Sequence, residues 1–204
     1  SSFNTQPGED LNITISLKNQ SKNDLKNATL KLSLVGPAIK KVTLLDWSKI
    51  EDQHDGDIQG QQINDSLRKG EITWSKNKIS SLANIAGGKE VSVDIKLPIK
   101  NSSSFNLSDL TTSSQITAVA EISFKDEEGI THNFSSNQII ITVNSDLKFE
   151  ARDAVSPSGK GEKHQINWVL TNNFHPLKNL TLTAEVYGDV SVELPTPTPA
   201  GEAS

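Results

Sequence analysis

The chain contains no cysteine and no methionine. Without cysteine there is no disulfide, no thiolate metal site and no cysteine nucleophile. The same absence says nothing about redox compartment. No apolar run approaches the ~18 residues of a membrane helix, and no basic-then-apolar leader is present. Lys and Arg are scattered, and the net charge is −5. A nucleic-acid interface needs a basic face, so no nucleic-acid partner is expected. There is no G-x-S-x-G elbow, no Gly-rich phosphate loop after a strand, and no arguable Ser-His-Asp set. His54, His132, His164 and His175 share no metal-ligand spacing such as H-x-x-x-H. These gaps point to a non-enzyme, with no catalytic residue and no cofactor expected. Position 1 is Ser, which reads as a processed chain or a piece of a longer one.

What is present is period-two alternation, the signature of half-buried strands. Leu11, Ile13, Ile15 and Leu17 alternate with Asn12, Thr14 and Ser16. Ala28, Leu30, Leu32 and Leu34 follow the same rule, as do Val91–Leu97, Ile116–Phe124 and Ile139–Val143, with Ile72 and Trp74 a shorter run. Each run has one apolar and one polar face, which suits antiparallel sheets packed face to face. Turn chemistry separates the runs: NQSKND at 19–24, GP at 36–37, GG at 87–88 and DEEG at 126–129, the last reading as a hairpin tip. No helical period is sustained. The expected fold is all-β, an antiparallel sandwich with about seven strands before residue 145. Ile13, Ile15, Leu17, Leu30, Leu32, Val93, Ile95, Ile122 and Ile141 are its expected buried face. Trp74 and Trp168 are expected in core packing, and Trp47 is the tryptophan left open to exposure.

The chain also repeats itself. GEDLNITISLKN from Gly8 matches GEKHQINWVLTN from Gly161, sharing Gly8/Gly161, Glu9/Glu162, Ile13/Ile166, Leu17/Leu170 and Asn19/Asn172. After one deletion LKNATLKLSLVG matches LKNLTLTAEVYG, sharing Leu25/Leu177, Lys26/Lys178, Asn27/Asn179, Thr29/Thr181, Leu30/Leu182 and Gly36/Gly188. Matches on the inward face, the loop and both end glycines argue for a domain repeat. The expected organisation is a sandwich over 1–145, its first strand missing or upstream, then a partial second copy over 146–192. DLKFEARDAV at 146–155 supplies that copy with a first strand. A Pro/Thr-rich linker or tail, 193–204, closes the chain.

The opening PGE, an alternating strand ending in Asn19, the L-x-N strand that follows, GEITW at 70–74 and GGKEVSVDI at 87–95 together resemble a known family. It is the Ig-like "conserved repeat" and cell-adhesion-related modules found in tandem on prokaryotic surface proteins. The resemblance implies an Ig-like sandwich in a stalk, spacer or adhesion scaffold at the cell surface or outside the cell. Its partners would be other copies of the module or neighbouring chains.

Two alternatives are weighed beside it: a surface-layer or filament subunit assembling through β-edge contacts, and a carbohydrate- or calcium-dependent binding module with its site in loops 46–70 or 99–114. Asp52, Asp55 and Asp57 in the acidic stretch DWSKIEDQHDGD are weak calcium candidates, because a hard cation wants six to eight oxygens. No glutamate completes an EF-hand, so a solvated loop is the preferred reading. Eight N-x-Ser/Thr sites, at Asn12, Asn19, Asn27, Asn64, Asn101, Asn106, Asn133 and Asn179, fit a glycosylated outer surface. They equally fit Asn chosen for turns, and both readings stay open.

Overall fold

Each alternating run is a strand. The run from Leu11 lies in β2 (Asp10–Lys18), and Ala28–Leu34 lies in the long β3 (Leu25–Ile39). Val91–Leu97 lies in β9 (Glu90–Pro98), Ile116–Phe124 in β10 (Gln115–Lys125) and Ile139–Val143 in β12 (Ile139–Val143). The remaining strands before residue 145 are β1 (Ser2–Thr5), β4 (Val42–Thr43), β5 (Glu51–Asp52), β6 (Asp57–Asn64), β7 (Leu67–Trp74), β8 (Asn84–Ile85) and β11 (Thr131–Ser135). Beyond them come β13 (Lys148–Ser158) and β14 (Gly161–Thr171). This computed structural model describes residues 2–107, 110, 114–159, 161–172, 174, 177–183, 185 and 187. Helix among the described residues is limited to 3-10 turns, Trp47–Lys49, Ser80–Ala83 and a turn at Leu107.

Two sheets make an Ig-like sandwich. The larger runs β1-β12-β10-β3-β7-β6, with β4 and β8 on the ends of β3 and β11 on β10. The smaller runs β2-β9-β5. Leu11 and Ile15 of β2 and Val93, Ile95 and Leu97 of β9 meet Leu30, Leu32, Leu34, Ile72, Trp74 and Ile116 in one core. Burying each such side chain contributes about 1.5–3 kcal/mol relative to leaving it in water. Six of the nine positions expected inside are buried; Ile13, Leu17 and Ile122 are half-buried against the core. β2 is the edge of the smaller sheet, with β9 on one side only. Ile122 lies on β10 beyond Ala118, where the pairing with β12 stops. Pairing is antiparallel throughout, except that β1 runs parallel to β12, with Phe3 opposite Ile141 and Thr5 opposite Val143.

Two segments expected as loops are more ordered than their sequence suggests. Within 46–70, Asp57–Asn64 is a full strand, β6, and β7 begins at Leu67. β6 pairs with β7 alone and is almost wholly exposed, so nothing in the packing demands alternation. The 99–114 loop buries Phe105 and Leu107 in the core.

After residue 146 the chain forms a two-stranded antiparallel ribbon, β13 with β14, from Lys148↔Thr171 at its root to Ser158↔Gly161 at its tip. Leu177–Thr183, expected to open the next strand of a second copy, carries no strand. Asn179 nevertheless has φ +56°, matching φ +48° at Asn27. Asn is one of few residues that tolerate this left-handed region. The expected linker 193–204 lies outside the described residues.

Candidate functional site

The acidic loop 46–57 holds the densest set of candidate ligands. Asp52 Oδ1 accepts the His54 N–H at 2.9 Å. Its Oδ2 accepts the Gly56 N–H at 2.7 Å and the Trp74 indole N–H at 2.8 Å. Three protein donors therefore converge on one carboxylate, and the loop is folded around it. Gly56 is required by this closeness: a Cβ there would sit 2.5 Å from Ile72 and 2.6 Å from Trp74 Nε1. Asp57 pairs with Lys78 at 3.2 Å. Asp55 stands in the left-handed region at φ +50°. Asp46 accepts from Ser48 at 2.6 Å and pairs with Lys49 at 3.2 Å; the Ser48 hydroxyl does most to hold its carboxyl below the usual range. The three calcium candidates thus serve a turn, a strained backbone position and an ion pair. Among the described residues no group of three or more His, Asp or Glu is placed to hold a metal. Exchanging calcium for a chelator is expected to leave the melting temperature unchanged; a rise of many degrees with calcium would make 46–57 a binding site.

A shallow groove beside this loop is lined by Asn12, Thr14, Glu51, Asp94 and Lys96. Its polar groups answer one another. Thr14 donates to Asp94 at 2.7 Å, and Lys96 reaches Glu51 at 3.0 Å and Asp10 at 3.4 Å. The Glu51 bond does most to raise the Lys96 pKa. Trp47 is half-buried, its indole lying over Gly70, where a Cβ would come within 2.0 Å of the ring.

The sequons separate by geometry. Asn19 is 3% exposed, and its Nδ2 donates to the carbonyls of Asn23 and Ile85, each at 2.8 Å. A glycan would need that same nitrogen, so Asn19 is removed from the glycosylation candidates. Asn19, Asn64 and Asn101 each accept through Oδ1 from the backbone N–H two residues on, at 3.0, 2.9 and 3.2 Å. That bond is an Asx turn, and it puts Ser at the third position of all three sequons. Asn27 accepts from Lys76 at 2.8 Å. Asn12, Asn106, Asn133 and Asn179 are exposed.

DEEG is the β10–β11 hairpin tip. Asp126 Oδ1 accepts the N–H groups of Glu128 and Ile130 at 3.0 and 2.8 Å, and Oδ2 meets His132 Nε2 at 2.7 Å. On the ribbon, Phe149, Ala151 and Val155 share a face with Leu170, Trp168 and His164, while Glu150, Arg152 and Asn167 take the other. The apolar face is exposed: Ile166 is 57%, Trp168 41% and Leu170 39% accessible. The expectation that these three point into a core is corrected here. They share one face, as their counterparts on β2 do, but no second layer covers it among the described residues.

His164 pairs with Asp153 at 2.7 Å, and that hydrogen bond raises its pKa above the ordinary value. The folded value exceeds the unfolded one. The pairing therefore supports the ribbon below about pH 6.5 and fades as pH rises through the folded value. Following the His164 ring by NMR should give a pKa above that of a free histidine, returning toward it in Asp153→Asn. An unchanged titration in the variant would exclude the pairing.

No family model matches the chain, and no curated protein matches it in sequence. Some solved structures are similar to it over part of their length. AvmM, which catalyses macrocyclization in alchivemycin A biosynthesis, is 10% identical, with a TM-score of 0.43 over 70% of this chain and 84% of its own. BcpA, the major pilin subunit of Bacillus cereus, is 12% identical with a TM-score of 0.38; the match covers 85% of this chain but only 52% of the pilin. The sixth cohesin of Acetivibrio cellulolyticus scaffoldin B is 13% identical, with a TM-score of 0.35 over 70% of this chain and 94% of the cohesin. All three scores lie below 0.5 and the three proteins differ in role, so the likeness assigns no role. Among the described residues no helix is long and apolar enough to cross a membrane.

Proposed function

We propose that the chain is a non-enzymatic structural module of a tandem-repeat cell-surface or secreted protein, acting as a spacer or adhesion scaffold. One observation carries this reading: β1, which precedes the rest of the described sandwich, pairs in parallel with β12, which ends it. Tension applied through the chain pulls β1 toward its start and β12 toward its end. Parallel neighbours pulled apart in this way slide along each other, so their hydrogen bonds share the load. The ladder continues past the strands, with the Asn144 N–H donating to Thr5 C=O at 2.8 Å. The N–H of Val143 donates to Ser114 C=O at 2.7 Å. This arrangement suits a module that transmits force along a row.

Alternate N–H groups of β1 face β12, so Phe3→Pro and Asn4→Pro test the idea as a pair. Proline removes a ladder donor only where one is bonded. One of the two is expected to lower the unfolding force clearly and the other to lower it less. Equal, unaltered forces in both would end the load-bearing reading.

The internal repeat supports further copies of the module, or neighbouring chains, as partners. The filament alternative has its own support in β6. That strand has an open edge, and Ile58–Asn64 carries no charge, the kind of edge onto which another strand can add.

A further inference from the structure

The ribbon is rooted in the sandwich by more than the covalent chain. A two-stranded ribbon is marginal alone in water, and this one is eleven residues long on each strand. Its first strand leaves the sandwich through residues 144–147, directly after β12. Its second returns to the same end at Thr171, opposite Lys148. There the Ser145 hydroxyl donates to Asn172 Oδ1, tying the two strands of the root together. Two residues further on, Phe174 is 2% exposed and belongs to the same core as Ile99, Leu107 and Val143. Asp146, at the root, is also buried. An aromatic side chain from beyond the ribbon therefore fills the core of the sandwich.

In the first copy the matching loop position is Ser21 or Lys22, on either side of the one-residue deletion, and both are exposed.

We propose that Phe174 is a plug between units: the core of the sandwich is a socket for this aromatic, which follows the ribbon of the second copy, and its seating fixes the ribbon's direction relative to the sandwich. The partner class is a repeat of this same chain. The inference rests on the tandem-module reading of the repeat but not on the load-bearing pair of terminal strands. Its test reads orientation and leaves unfolding force aside.

The chain has no native cysteine, so one label can be placed on the sandwich at Asn12→Cys and one at the ribbon tip at Ser158→Cys. Pulsed dipolar spectroscopy on the full chain should give a narrow distance distribution. Phe174→Ser should broaden it severalfold and lower the melting temperature of the sandwich. Phe174→Leu, which keeps an apolar plug, should restore most of the narrow distribution. If Phe174→Ser lowers the melting temperature but leaves the distribution narrow, Phe174 is only a filler of the core and the proposal fails. If neither changes, it fails as well. Should the serine variant not fold, Phe174→Leu and Phe174→Ala decide in the same way, broadening in step with lost volume supporting the plug and no broadening overturning it.

Discussion

Replacing Trp74 by alanine is expected to cost the sandwich about 3–5 kcal/mol, the range for removing a fully buried large aromatic. Trp74 is 0% exposed, the largest fully buried side chain of the core, and sits opposite Leu30 where β7 pairs with β3. Its loss opens a cavity that neighbouring strands, pinned by their ladders, cannot collapse to fill. It also takes away the indole donor of Asp52, around which the 46–57 loop is folded. Trp74→Phe keeps more of the volume but loses that bond, so it should cost less than Trp74→Ala, with about 1–2 kcal/mol of its cost coming from the lost hydrogen bond. Denaturant titration reads both variants. A cost below about 1 kcal/mol for Trp74→Ala would mean the two sheets do not pack as described.

Leu32→Ala should cost about 2–5 kcal/mol. Leu32 lies at the middle of β3, with Ala120 of β10 on one side and Ile72 of β7 on the other, and is 2% exposed. β3 is central to the larger sheet, so the side chain has neighbours along its own sheet as well as across the sandwich. A change under half a kcal/mol, about what an exposed site would give, would place Leu32 on the wrong face.

The strands with one buried face were legible in the sequence because burial enforces alternation: β2, β3, β9, β10 and β12 all announce themselves by it. β6 did not, since an exposed edge strand of sequence DIQGQQIN is held by its ladder to β7 and by little else. The role of Asn19 was hidden for a related reason. As sequence it is a sequon in a polar loop; in the fold its amide satisfies two carbonyls inside the turn, and nothing local distinguishes the two. Asp52 is similar, because the donor that explains it, Trp74, lies 22 residues away. Ile166, Trp168 and Leu170 were read onto the correct shared face, but exposure depends on an opposing layer, which no strand encodes by itself. Phe174 left one trace: a lone aromatic where the first copy is polar.

The central claim is that the sandwich bears tension through the parallel pairing of β1 with β12, and the direction of pulling tests it most directly. Handles at Ser2→Cys and Asn144→Cys load that pairing in shear. Handles at Gln6→Cys and Asn144→Cys start from the same end of the two strands and open the pairing one bond at a time. Single-molecule stretching should give a markedly higher unfolding force in the first geometry than in the second. Equal forces in the two geometries would contradict the claim.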